Sequence, residues 1–162
     1  MKATPALVAL AAAGVEHSVH TYEPPTDHRD YGLVAAAAVG VEPARMAKTL
    51  VVEADGRLVL GVVPVSGTLD LKALAAAVGS KRAAMADAAK AERATGYVTG
   101  GISPLGTRQR LGVVVDASLT AFETVVVSGG LRGLSVELAP GDLVATASAA
   151  VAAIAGPPTG SR

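Results

Sequence analysis

The order of elements legible in the 162-residue sequence predicts an α+β fold, a mixed β-sheet curled into a barrel-like core with helices around it. Three observations carry that expectation. Asp55-Gly56 stands between two runs rich in β-branched residues, the mark of a tight hairpin. Three more strand-like stretches follow one another between residues 112 and 139 with no helix between them. Helical segments are scattered among the strands without strict alternation, which disfavours a doubly wound sheet.

The elements can be justified in order. Thr4 as N-cap, Pro5 at the first helical position and Gly14 as terminator bound a first helix. Its apolar run after Lys2 faintly resembles a leader peptide, but one charge makes a poor start for one, and a strand-like stretch, His17–Glu23, follows at once. Pro24–Asp30 is rich in breakers and predicts a loop, and Tyr31–Gly40 a short helix. The hairpin spans Lys48–Ala54 and Arg57–Val65. Asp70 caps a helix that stops at Gly79, and Asp87 caps another that runs through Arg93 and ends at Gly96. Strands are expected at Gly112–Ser118, Glu123–Gly129 and Arg132–Ala139, then a helix over Gly141–Ala155. One domain over residues 1–155, with a flexible tail over 156–162, is the expected organisation.

Composition narrows the function. Hydrophobic residues make up 51% of the chain and aromatics 2%, so Ala, Val and Leu must build the core. Fourteen basic residues balance fourteen acidic ones, which disfavours a protein that wraps long DNA or RNA electrostatically. The absence of cysteine removes disulfides, thiolate zinc sites and a cysteine nucleophile together. No apolar run approaches the roughly 18 residues that a membrane-spanning helix needs, and a cytoplasmic location is expected.

Conventional catalytic motifs do not fit. Gly101–Arg108 has the glycine spacing of a phosphate-binding loop, but Thr107 occupies the lysine position and a strand-like stretch follows it. Three residues apart on a strand, His17 and His20 face opposite sides, and His28 adds no ligand set, so no metal site is expected. Val127–Gly133 lacks the G-x-S-x-G pattern of a serine nucleophile. Two features remain open to either reading. The stretch Thr95–Arg110 leaves backbone bare beside arginines, as an ordinary surface turn or as a cradle for an oxygen-rich ligand. Lys48, which begins an otherwise apolar strand, either extends to water or presents a point charge to a ligand.

Several stretches in order carry a resemblance: HTYE at His20–Glu23, AKTLVV at Ala47–Val52, Pro64–Asp87, TGYVTGGISPLG at Thr95–Gly106, VSGGLRGLSVEL at Val127–Leu138 and GDL at Gly141–Leu143. Together they resemble the bacterial YbaK-type Cys-tRNA(Pro) deacylases, related to the editing domain of prolyl-tRNA synthetase, from about Thr4 to Ile154. The resemblance implies the barrel-like sheet and a trans-editing enzyme that removes cysteine from mischarged tRNA(Pro), and from Cys-tRNA(Cys) in isolation. It further implies that the substrate's own thiol attacks its ester carbonyl, so the protein supplies position and charge without a nucleophile, metal or cofactor.

By the same resemblance Lys48 is the catalytic residue and Thr49 lines its pocket. Tyr22, Tyr31, Gly100, Gly101 and Ser128 are substrate-binding positions. Ser135 stands where close relatives carry aspartate, which keeps a hydrogen-bonding group and loses a negative charge that bears on amino-acid specificity. Lys81, Arg82, Arg108, Arg110 and Arg132 are candidate contacts to tRNA, although each has an ordinary reading as solvated surface charge. The expected partners are an aminoacylated tRNA end and prolyl-tRNA synthetase, not DNA or membrane. Two alternatives differ in testable ways: a deacylase for another small mischarged amino acid, or a non-catalytic module that binds tRNA or a synthetase.

Overall fold

The computed structural model describes residues 3–26 and 31–157. His28 and most of the expected loop's second half lie outside them. The element order is α1 (Pro5–Ala13), β1 (Ser18–Thr21), α2 (Tyr31–Val39), β2 (Ala47–Ala54), β3 (Arg57–Pro64), β4 (Thr68–Leu69), α3 (Leu71–Ala77), β5 (Ala83–Met85) and α4 (Ala88–Thr95). It continues with β6 (Gly112–Asp116), β7 (Val125–Leu131), β8 (Leu134–Leu138), α5 (Pro140–Ala147), β9 (Ala150–Ala152) and β10 (Ala155–Gly156). The expected caps operate. Thr4 Oγ1 accepts from the Leu7 amide, and Asp70 and Asp87 accept from Ala73 and Lys90.

The strands form a five-stranded sheet in the order β5-β2-β3-β6-β9, a three-stranded sheet β1-β8-β7, and a β10-β4 pair. Parallel pairing of β3 with β6, and of β6 with β9, makes the larger sheet mixed, as expected. The two larger sheets meet at a parallel bridge between Met46 and Val126. Hydrogen bonding among the described residues closes no barrel, so the α+β class holds and the barrel-like closure does not appear.

Apolar side chains bury both faces of the five-stranded sheet. On one face Leu60, Val62 and Val115 pack with Val127, Val136, Leu138 and the helical residues Leu10 and Leu143. On the other, Val52, Val59, Val63 and Val114 pack with Leu74 and Ile154. Each fully buried Val or Leu contributes roughly 1.5–3 kcal/mol. A third cluster, Ala35, Ala36, Met46, Val65 and Val126, lies under α2 and beside the functional pocket.

The C-terminal third corrects the sequence reading. The helix expected to reach Ala155 stops at Ala147, where Ser148 takes a left-handed conformation with φ 52°. The alanine-rich remainder is weakly committed, and two features draw it into sheet instead. The β6 edge accepts β9 in parallel register, and Asp116 Oδ1 accepts from the amides of Ile154 and Ala155 at 2.8 and 2.9 Å. Ala155-Gly156 then pairs with Thr68-Leu69, so Gly156 belongs to a strand and not to a tail. Residues 158–162 lie outside the described set. The strand expected to reach Ser118 ends at Asp116, whose carboxylate caps the following 3-10 turn through the Ser118 amide.

Candidate functional site

A cavity of about 340 Å³ opens where β2 extends past its neighbour β5. The β2–β5 ladder covers only Val52–Ala54, and its last rung is the Ala86 amide donating to the Val51 carbonyl at 3.0 Å. Backbone groups alternate sides along an antiparallel strand, so those of Thr49 point the same way as Val51's, beyond the last rung. The cavity wraps this edge. Lys48 and Thr49 therefore both line it, although adjacent strand residues leave on opposite faces.

Lys48 is half-buried, and loss of solvation pushes its ammonium below the usual lysine pKa. Among the described residues no carboxylate lies within ion-pairing distance of it. The Thr49 hydroxyl is buried and also has no hydrogen-bond partner among them. An unmet polar group inside a protein is costly, so the Thr49 hydroxyl beside a partly desolvated ammonium marks a place where something else binds.

The opposite wall is the polar face of the three-stranded sheet. Ser128 and Ser135 are direct partners across β7 and β8, and both line the cavity. Ser135 is 1% exposed, and its hydroxyl lies 3.3 Å from the Tyr22 hydroxyl. Burial pushes the Tyr22 phenol up to about 12, which keeps it protonated and able to donate. Tyr31, at the start of α2, completes this side, its hydroxyl accepting the Gly133 amide at 3.1 Å.

The glycine-rich loop forms the rim. It is packed from within, which its composition did not announce. Tyr97 is buried and donates to the Leu105 carbonyl at 2.6 Å, and Ser103 is fully buried. Glu92 receives both the amide and hydroxyl of Thr99, at 2.8 and 3.0 Å, and those bonds hold its carboxyl below the ordinary value. Gly100 lines the cavity, whereas Gly101 sits behind it. The Gly101 amide donates to the Val98 carbonyl, and a Cβ there would fall 2.9 Å from the Arg132 amide nitrogen. Only glycine allows that approach.

Seven of the expected pocket residues thus converge: Lys48, Thr49, Tyr22, Tyr31, Gly100, Ser128 and Ser135. The expected tRNA contacts are dispersed. Lys81 and Arg82 lie at the hairpin end of β2, where their amides donate to Asp55. Six residues of strand place that end about 20 Å from Lys48. Arg108 packs against Gly96 at the end of α4, and Arg110 is exposed just before β6. Arg132 turns inward. His17 and His20 bind protein groups, the Val15 carbonyl and Glu137. No cluster of three potential metal ligands exists among the described residues. Sequence reasoning missed Met85, Ala86, Ala88, Ala91, Thr99 and Ile102, which line the cavity from β5, α4 and the loop.

The arrangement offers one ammonium, several hydroxyls and apolar walls. Among the described lining residues there is no His, Asp or Glu to activate Ser128 or Ser135 as a nucleophile. Such a pocket suits a small ligand that carries polar groups.

Comparison with known proteins identifies the family. The model of the aminoacyl-tRNA editing domain matches residues 32–146. EbsC of Enterococcus faecalis, named as a candidate Cys-tRNA(Pro)/Cys-tRNA(Cys) deacylase, is 37% identical over 106 residues, 65% of each chain. The match thus spans slightly less than two thirds of that relative. Bacillus subtilis YwhH, described as uncharacterized, is 33% identical over 67% of this chain and 69% of its own. A crystal structure of a candidate trans-editing enzyme for prolyl-tRNA synthetase superimposes with a TM-score of 0.81 at 26% identity, covering 94% of this chain and 95% of that one. The hypothetical protein APE2540 superimposes with a TM-score of 0.84 at 26% identity, covering 94% and 100%. A matched segment that runs through β2, the glycine-rich loop and β8, together with a fold shared over nearly the whole chain, shows that this protein belongs to the aminoacyl-tRNA editing domain family.

Proposed function

We propose that this chain is a deacylase that clears a mischarged aminoacyl-tRNA, with Cys-tRNA(Pro) as its principal substrate and Cys-tRNA(Cys) as a second. One observation carries the reading: the cavity holds Lys48 in a partly desolvated setting and, among its described lining, no His, Asp or Glu to serve as base for a serine nucleophile. A substrate that brings its own nucleophile needs nothing more. The cysteine thiolate attacks the ester carbonyl carbon, the C–O bond breaks, and the tRNA hydroxyl leaves with a proton. The product is a small cyclic thioester that water opens to free cysteine.

Each residue has a part in that scheme. Lys48 stabilises negative charge on the sulfur and on the carbonyl oxygen as attack proceeds. The thiol's ordinary pKa is about 8.5, and a nearby ammonium favours its thiolate. The hydroxyls of Tyr22 and Ser135 face the amino-acid group, and Thr49 offers its unpartnered hydroxyl and strand edge to the ester. Gly100 lets the terminal nucleotide approach the rim. Exposed Arg110, with Arg108, Lys81 and Arg82, meets phosphates farther along the tRNA, giving modest, salt-sensitive affinity. The names of EbsC and of the solved trans-editing relative favour this substrate and cooperation with prolyl-tRNA synthetase. Hydrolytic clearing is needed because a synthetic pocket rejects a similar-sized amino acid by only a few kcal/mol.

The test is a panel of tRNAs charged with Cys, Ser, Ala and Pro, followed for loss of the ester. Rapid release of cysteine alone is expected. Equal release of serine, which replaces the thiol by a hydroxyl, would refute thiol-assisted cleavage. No release from any of the four would point to a binding module.

A further inference from the structure

Arg132 was counted above among the cations expected to meet tRNA, but its surroundings are those of a brace. It sits in the turn between β7 and β8, and Nη2 donates to the Pro25 carbonyl at 2.6 Å. Its guanidinium carbon lies 5.1 Å from the centroid of the Tyr31 ring, a cation–π distance. Its stem runs over Gly100, where a Cβ would come 3.1 Å from Nε and 3.3 Å from Cδ. Nε is buried and makes no hydrogen bond among the described residues. One side chain thus touches Pro25, Tyr31 and Gly100, all far from it in sequence. None of these contacts puts its charge in the cavity, which Arg132 does not line.

The neighbouring turn residues act on the same groups. The Gly133 amide donates to the Tyr31 hydroxyl, and its carbonyl accepts the Tyr22 amide at 3.0 Å. Gly133 has φ 83°, and a Cβ there would lie 2.5 Å from the Tyr22 carbonyl oxygen, so the approach requires glycine. The Leu131 and Arg132 backbone packs on Gly101. Both pocket tyrosines and both glycines of the rim therefore take their places from Leu131–Gly133.

We propose that Arg132 is a positioning residue for deacylation, holding Tyr31 and the Gly100 rim in register across the pocket mouth, and not a phosphate-binding cation. The inference rests on the deacylase reading above and adds a residue that acts through others. Its planar fork is the working part. It donates to a carbonyl while its face covers an aromatic ring, a combination that a lysine ammonium cannot reproduce.

The test compares Arg132→Lys and Arg132→Ala for turnover of Cys-tRNA(Pro), with kcat and KM separated. It also follows the salt dependence of uncharged tRNA binding, and hydrogen exchange over residues 97–103. Both variants are expected to lose about 10–100-fold in kcat, as small misplacements of reacting groups do. KM and the salt slope should stay near wild type, and exchange at the rim should quicken. Tyr31→Phe keeps the ring under the guanidinium and loses the hydroxyl that meets the Gly133 amide and the Tyr22 phenol, so a smaller loss than in either Arg132 variant, about 3-fold, is expected. Two results would overturn the proposal: a lysine variant that works while the alanine variant lowers the salt slope by about one, as a lost phosphate contact does, or normal kcat in both. Should Arg132→Ala not fold, Arg132→Lys carries the comparison. If wild-type protein deacylates nothing, the deacylase reading fails by itself, and the exchange measurement still reports whether Arg132 braces the rim.

Discussion

The two ends of β2 are built to opposite specifications. At the hairpin end the strand is paired on both sides. Ala54 pairs with Arg57 on one side and Ala83 on the other, and the Asp55 carboxylate takes the amides of Lys81 and Arg82 at 2.9 and 3.2 Å. At the cavity end β5 has turned away, the Thr49 hydroxyl has no partner among the described residues, and Lys48 is partly stripped of water. One strand of eight residues therefore carries a stable turn and a deliberately incomplete site. Unmet groups lower stability, and proteins keep them where binding completes them.

This contrast can be broken most sharply at Lys48. Lys48→Met should lower kcat/KM on Cys-tRNA(Pro) by at least about 100-fold, the scale of losing a key electrostatic group. Stability should move the other way. Burial lowers the folded-state pKa of Lys48, so the unfolded chain holds its proton more tightly and the folded state carries a penalty at neutral pH. Calorimetry should show no fall in Tm, and a small rise.

Thr49→Val removes the hydroxyl at nearly constant volume. An effect of about 5–10-fold on KM with Tm unchanged is expected, because no internal hydrogen bond is lost. At the satisfied end Asp55→Ala should do the reverse. It removes the acceptor of two amides from a residue at φ 48°, which alanine tolerates poorly, and should cost about 1 kcal/mol, or about 2–4 °C, with turnover unchanged. The smallest effect concerns acid. Burial opposes the Asp116 charge, but bonds from Ser118, Ile154 and Ala155 outweigh it and hold its carboxyl below the ordinary value. Bonds from Thr124 and His20 do the same for Glu137, with burial opposing and Arg45 helping. Unfolded carboxylates therefore take up protons first, so stability is full at neutral pH and is lost as pH falls below about 4. A Tm series should be flat near neutrality and decline in acid, with a shallower decline in Glu137→Gln.

Local signals told the truth wherever the chain decided locally. Thr4, Pro5 and Gly14 bounded α1, and Asp55-Gly56 set the register of the hairpin, because caps and tight turns are chosen by residues a few positions apart. The long helix failed at Ser148 because an alanine run accepts either state and the neighbouring strand and Asp116 made the choice. β5 was unreadable for a similar reason: Ala83–Met85 has no period, and it is a strand only because β2 offers an edge. At the site, the resemblance named Lys48, Tyr22 and Ser135, whereas the contact between Tyr22 and Ser135 joins residues 113 positions apart. Arg132 read as surface charge because nothing beside it in sequence reveals Tyr31 or Pro25.

The pairing of β1 with β8 has a consequence for how the molecule is made. Tyr22 emerges early from the ribosome but must wait for Gly133 and Ser135, and Asp116 must wait for Ile154 and Ala155. Vectorial synthesis of this chain thus leaves one wall of the pocket missing until β8 has been delivered.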